Sequence, residues 1–256
     1  MKSRLTLLVV LLAGFAFGQI NQVDSQGRKQ GKWEKTYEGS AVYQYRGQFK
    51  DDKPVGKFIY YYESSKVKAV IKHNEVEKGR SLAFFYHENG EVMSAGIYRN
   101  MKKDSIWVNF TPGGKLSTKE EFKNDKLNGV TLVYFVSEDI ASPNPVVATR
   151  KIYKNGILDG DYYEYFVNGK TKMRGKYVNN KQHGPWEEFH LNGNRAITYR
   201  YNNGKKHGYQ IAYDEGGKRL GEVFYYNGHL IEGERLKALL KDLEAKGINP
   251  YTMTTK

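Results

Sequence analysis

The feature that most limits what this chain can fold into is a unit of 24 residues that recurs along it. An anchor residue followed by a polar turn stands at Phe49, His73, Tyr98, Phe122, Tyr153, Tyr177, Tyr201 and Tyr225, at intervals of 24, 25, 24, 31, 24, 24 and 24 residues. A fixed period of this length marks a repeat architecture, in which each supersecondary unit buries its apolar face only against its neighbours. The one long interval contains two prolines in a polar stretch between Val136 and Thr149, which reads as a loop inserted between strands. Such loops can form the binding face of a repeat scaffold, so Ser137, Asp139, Pro143, Asn144 and Pro145 are candidate contact residues.

A second anchor runs in parallel at Gly31, Gly56, Gly79, Ser105, Gly129, Gly160, Gly184 and Gly208. Two residues on stand Trp33, Phe58, Ser81, Trp107, Thr131, Tyr162, Trp186 and Gln210. Strand side chains alternate faces, so positions three and five after the glycine share a side. Position three is mostly apolar (Ile59, Leu82, Val108, Leu132, Tyr163, Ile211) and position five mostly aromatic (Tyr61, Phe84, Phe110, Tyr134, Tyr165, Phe189, Tyr213), which predicts that this side is the core. The ring at position two is then expected to pack over the glycine that precedes it. The third unit departs from the pattern, with Ser81 where a large ring is expected.

Within the units, Asn89-Gly90, Gly113-Gly114, Asn168-Gly169, Asn192-Gly193 and Gly216-Gly217 supply the positive φ of tight hairpin turns. A single hairpin is marginal in water, so the units must stack. The expected fold is all-β: an elongated antiparallel sheet or solenoid of about eight tandem β-hairpins over residues 31–233. Residues 19–30 read as a polar lead-in. Residues 234–247 place Leu236, Leu239, Leu240 and Leu243 at helical spacing before Gly247, which predicts a helix capping the last hairpin, followed by a tail over 248–256.

Residues 1–18 read as a cleavable signal peptide. Lys2 and Arg4 precede an uncharged apolar run from Leu5 to Ala16, and Ala16-Phe17-Gly18 offers small residues to a peptidase, placing the cut between Gly18 and Gln19. Twelve apolar residues fall short of the ~20 that span a bilayer. Export to the periplasm or the outside is the expectation. The chain has no cysteine, which removes disulfides, thiolate metal sites and a lipid-modified N-terminal cysteine. A formal charge of +13 favours anionic over cationic partners, but the basic residues are dispersed, and an exported chain is not expected to meet nucleic acid.

The units resemble the MORN family (membrane occupation and recognition nexus), and more closely its bacterial variant. The residues that carry the resemblance are Tyr177-Val-Asn-Asn-Lys-Gln-His-Gly-Pro-Trp-Glu-Glu-Phe-His-Leu-Asn-Gly193 and Tyr201-Asn-Asn-Gly-Lys-Lys-His-Gly208. It implies a twisted hairpin array used for protein contacts, scaffolding or, in some members, membrane association. Some bacterial relatives are labelled antitoxin components; the signal segment sets this chain apart from a cytoplasmic antitoxin.

The six histidines (His73, His87, His183, His190, His207, His229) form no His-x-x-x-His pair, and phosphate-loop, EF-hand and Gly-x-Ser-x-Gly patterns are missing. Adjacent acids such as Asp51-Asp52 and Glu120-Glu121 point to opposite faces of a strand. A non-enzymatic chain without cofactor or metal is expected. The leading expectation is an exported scaffold that binds a protein. The alternatives are a glycan or cell-wall binder using Trp33, Trp107, Tyr162 and Trp186 as exposed stacking rings, and a peripheral protein of anionic membranes.

Overall fold

The computed structural model describes residues 19–136 and 144–255. The segment 1–18, with Gly18 of the expected cleavage site, lies outside the described residues, as do Ser137, Asp139 and Pro143 of the inserted loop.

Twenty strands form one open antiparallel sheet. In chain order the first ten are β1 (Gln22–Val23), β2 (Lys29–Thr36), β3 (Tyr43–Lys50), β4 (Lys53–Tyr61), β5 (Val67–His73), β6 (Arg80–Tyr86), β7 (Val92–Arg99), β8 (Lys102–Phe110), β9 (Leu116–Lys123) and β10 (Lys126–Tyr134). There follow β11 (Val147–Lys154), β12 (Ile157–Leu158), β13 (Gly160–Tyr165), β14 (Thr171–Val178), β15 (Lys181–Phe189) and β16 (Arg195–Asn202). The sheet ends with β17 (Lys205–Lys206), β18 (Gly208–Tyr213), β19 (Arg219–Tyr226) and β20 (His229–Ile231). Each strand pairs with its neighbours in sequence, and β12 and β13, like β17 and β18, are two parts of one interrupted strand. The helix expected over 234–247 is α1 (Gly233–Ala245), and the tail adds a small separate hairpin of β21 (Ile248–Asn249) and β22 (Thr254–Thr255).

The turns between units sit on one edge of the sheet and hold one another. Paired positive-φ residues such as Asp51-Asp52, Asn100-Met101, Asn124-Asp125 and Asn179-Asn180 make two-residue connections. The turn's backbone N–H then donates to a carbonyl of the preceding unit: Asn180 to Leu158 (2.9 Å), Gly204 to Gln182 (2.8 Å), Gly228 to Lys206 (2.8 Å). On the opposite edge side chains do the same work. The Tyr37 hydroxyl donates to the Tyr61 carbonyl (2.6 Å), Tyr62 to Tyr86 (2.7 Å), and His190 Nε2 to Tyr213 (2.9 Å). The described ends of the insertion lie on this second edge: Phe135 N–H donates to the Val146 carbonyl (2.9 Å), so β10 and β11 still form a hairpin, and Asn144 and Pro145 are exposed.

The buried face is not the one the alternation predicts. Phe58, Trp107 and Trp186 at position two are 2%, 0% and 1% exposed, whereas Leu82 and Ile106 on the other side are 36% and 46% exposed. The cause is a bulge. On β4 the three residues Gly56–Phe58 oppose the single residue Gly47, on β8 Ser105–Trp107 oppose Gly96, and on β15 Gly184–Trp186 oppose Gly175. The first residue of each trio has positive φ (Gly56 62°, Ser105 59°, Gly184 71°), which turns the chain so that the ring folds back across the ladder. The glycine beneath the ring is therefore on the neighbouring strand, not two residues before it. A Cβ on Gly47, Gly96 or Gly175 would lie 2.4, 2.2 or 2.2 Å from the ring of Phe58, Trp107 or Trp186.

The third unit breaks this device in a different way from that expected. Ser81, not Gly79, pairs with the anchor Tyr98, and it also pairs directly with His73 without a bulge. Ser81 thus takes the glycine position and Ala83 the ring position. Ile71 across from Ala83 restores the volume, inverting the small and large partners.

At the C-terminal end Leu243 of α1 is buried and Leu236, Leu239 and Leu240 are half-buried, while the rest of the helix is mostly exposed. The tail closes the last unit. Tyr251 stacks on Tyr209 (4.5 Å between ring centroids), Tyr209 meets the fully buried Phe224 edge-on, and Met253 and Pro250 approach Gly208.

Candidate binding surfaces

The two faces offer different chemistry. On the ring face, Trp33, Gly47 and Phe58 lie side by side across β2, β3 and β4, and Tyr162, Gly175 and Trp186 repeat the arrangement across β13, β14 and β15. Trp107 packs edge-on against Tyr98 (5.0 Å), donates from Nε1 to the Ile97 carbonyl (3.1 Å), and has the Lys103 ammonium 4.4 Å above its ring. Trp186 meets Tyr162, Tyr177 and Tyr201 within 6 Å. Trp107 and Trp186 accordingly have no free face on which a sugar could stack, which corrects the expectation for these two. Trp33 and Tyr162 are half-buried. Trp33 donates to the Gln22 and Gln30 carbonyls and lies under the Lys29 ammonium at 4.7 Å, and Tyr162 donates its hydroxyl to Glu164. Burial first, then the Glu164 contact, pushes the Tyr162 hydroxyl above its usual range; burial and Glu188 do the same to Tyr199.

Beside the irregular third unit the ring face opens into a cleft of about 380 Å³ lined by Tyr45, Tyr60, Ala69, Ile71 and Phe85, with Lys68 at its rim. Nearby, His73 Nδ1 and Ser81 Oγ share a 2.8 Å hydrogen bond, the imidazole meets Phe58 edge-on, and burial holds its pKa below 6.5. Ser81 is 5% exposed, so this pair has no room for a substrate.

The opposite face is where the sequence reading placed the core. One residue from each strand forms a continuous row in register: Ile59, Val70, Phe84, Ala95 and Val108 on β4 to β8. Below it run Leu82 and Ile97, paired across β6 and β7, and the exposed Ile106 on β8. Nothing among the described residues covers these side chains. The upper row continues as Lys119, Leu132, Arg150, Tyr163, Arg174 and Glu187 on β9 to β15, and starts from Glu34 and Arg46 on β2 and β3. Lys57 and Lys72 flank the aliphatic block at its N-terminal end. Glu34 is held by Arg46 (2.7 Å). Burial alone would raise the Glu187 carboxyl, but Arg174 and Arg195, at 2.5 and 2.7 Å, outweigh it and hold the group ionised.

Among the described residues no group of three His, Cys, Asp or Glu side chains is placed to hold a metal ion, and no helix is long and apolar enough to cross a membrane.

Comparison with known proteins gives a likeness over one unit and little else. Residues 182–203 match the model of the MORN repeat variant. No curated protein matches the chain. Among solved structures it is similar to stretches of those described as the crystal structures of TcdB2-TccC3, TcdB2-TccC3-TEV and TcdB2-TccC3-Cdc42, at 9%, 10% and 8% identity. These matches cover 80%, 72% and 77% of this chain but only 14%, 11% and 12% of the others, with TM-scores of 0.20, 0.21 and 0.21. The matched unit is the β15–β16 hairpin with its bulge and turns, so over that one unit the chain is similar to the MORN repeat variant.

Proposed function

We propose that this chain is an exported, non-enzymatic scaffold that holds a protein partner against the aliphatic face of β4 to β8. The observation that carries the reading is the double row Ile59, Val70, Phe84, Ala95, Val108 and Leu82, Ile97, Ile106, which nothing among the described residues covers. Contiguous apolar surface of this kind on a soluble chain marks an interaction site. The likeness of residues 182–203 to the MORN repeat variant, a kind of repeat used to bind proteins or membranes, agrees with it. The repeat supports catalysis poorly, because like residues at like positions do not converge as unlike groups.

The test is a photo-crosslinking amino acid at Leu82, with exposed Leu220 as control, in cells that make the protein. A protein adduct that forms at Leu82, is absent at Leu220, and is lost on Phe84→Asp supports the reading; no adduct at Leu82 overturns it. Export is read from the same material, since a chain beginning at Gln19 in the envelope or medium is expected, and an uncut chain in the cytoplasm would sink that part.

A glycan remains a second reading because of the cleft over Ala69, where Tyr45, Tyr60 and Phe85 keep partly open faces. Quenching or enhancement of tyrosine fluorescence by cell-wall fragments, lost on Tyr60→Ala, is the observation that would move the assignment there.

A further inference from the structure

The aliphatic block ends in a comb of cations. Lys119, Arg150 and Arg174 stand on alternate strands of the row, with Leu132 and Tyr163 between them. Two strand spacings put successive cations about 9.6 Å apart. At the other end Arg46, Lys57 and Lys72 border the block. The carboxylates of this face are fewer than its cations: Glu34 and Glu187 are bound by arginines, Asp104 lies opposite Ile97 and 3.8 Å from Arg99, Glu121 lies opposite Ile106, and Asp161 lies opposite Lys176. Lys57, Lys72 and Lys119 make no ion pair among the described residues.

We infer that the partner segment is an acidic amphipathic helix lying along the row, its apolar side on Val70, Phe84 and Val108 and its carboxylates over Lys119 and Arg150. Three observations carry this. The backbone groups of β4 to β11 are used in ladders on both sides, so a segment crossing them finds no backbone partner and must satisfy its own, as a helix does. Two helical turns advance about 10.8 Å, close to the cation spacing, so acids seven residues apart meet successive cations. A second copy of this chain is disfavoured, because a two-fold contact would set Lys119 and Arg150 against Arg46, Lys57 and Lys72. The inference rests on the scaffold reading above and adds the partner's conformation and charge.

The test uses a synthetic, hydrocarbon-stapled helix with leucines on one face of its first two heptads and glutamates seven residues apart on the same face of the next two. The wild-type protein is expected to bind it with an affinity that falls as salt rises, and Lys119→Gln/Arg150→Gln to weaken binding about ten-fold and flatten the salt dependence. Lys119→Glu/Arg150→Glu should instead prefer the version with lysines for glutamates. Thermal melts of each variant establish that it is folded, and the charge swap makes the result independent of any loss of stability. Equal affinity for the glutamate peptide and a glutamine version would overturn the inference, as would binding to phosphatidylglycerol vesicles in preference to the peptide. If the Leu82 adduct forms and is lost on Phe84→Asp while the charge variants bind the peptide like the wild type, the helix fails and the scaffold stands; without that adduct, the scaffold reading fails first.

Discussion

Trp186 lies flat against Gly175 of the adjoining strand, so closely that a Cβ on the glycine would sit 2.2 Å from Cδ2 of the indole. Gly96 and Trp107 repeat the contact. In a strand interior, glycine to alanine is ordinarily stabilising because it removes freedom from the unfolded chain. Here the sign reverses. Gly96→Ala and Gly175→Ala should each destabilise by about 1–3 kcal/mol through overpacking, whereas Gly221→Ala, whose Cβ meets nothing within 4 Å, should not. Urea unfolding of the three variants checks this.

Ser105 occupies a left-handed position, φ 59°, where the equivalent residues of β4 and β15 are Gly56 and Gly184. A non-glycine residue there carries a backbone cost of about 1–2 kcal/mol. Ser105→Gly should therefore raise stability by about 1 kcal/mol, less what the freer unfolded chain gives back. An unchanged or lower midpoint in urea would show that the hydroxyl's 3.0 Å bond to Asp104 offsets the strain.

His73 makes the stability of the irregular third unit sensitive to mild acid. Burial lowers its pKa in the folded protein, so the unfolded chain binds the proton more readily. The contribution is complete above 6.5 and is lost as pH falls from there towards the lowered folded value. His207, lowered first by burial and then by Arg200, acts in the same sense. Melting temperatures should drop between pH 7.5 and 5.5, and His73→Gln should narrow that drop; an unaltered pH profile in His73→Gln would count against the assignment.

The tail is part of the last unit. Deleting residues 248–256 removes Tyr251 from Tyr209 and Met253 from Gly208, and should expose the apolar surface around Phe224. The truncated chain is expected to melt earlier and bind a hydrophobic dye, while Thr254→Ala leaves both unchanged.

The period, the hairpins, the insertion and the helix were all legible, because turn residues and apolar spacing are local properties of the chain. Which face is buried was not. Alternation counts residues along one strand, and a bulge that sets Gly184, Pro185 and Trp186 against Gly175 shifts the count. The corrective signal was present in Gly47, Gly96 and Gly175, each two residues before an anchor ring, small where a large partner must fit. The candidate docking surface was missed for the same reason: Ile59 and Val108 had been assigned to a core that lies on the other side. The third unit misled because Gly79 imitates the anchor glycine, whereas only pairing shows that Ser81 fills that place.

The edge turns, each bound to the one before, also fix how the molecule should yield to force. Among the described residues the strands of the sheet pair along the order of the chain, counting β12–β13 and β17–β18 as interrupted strands, and no strand pairing joins the first hairpins to the last. Tension between the two ends would load the ladders as a zipper, one pair of bonds at a time, and the array should peel from an end in steps of about one unit. A partner clamped across β4 to β11 would bridge units that nothing else connects, and the sheet beneath it would then resist stretching as one body.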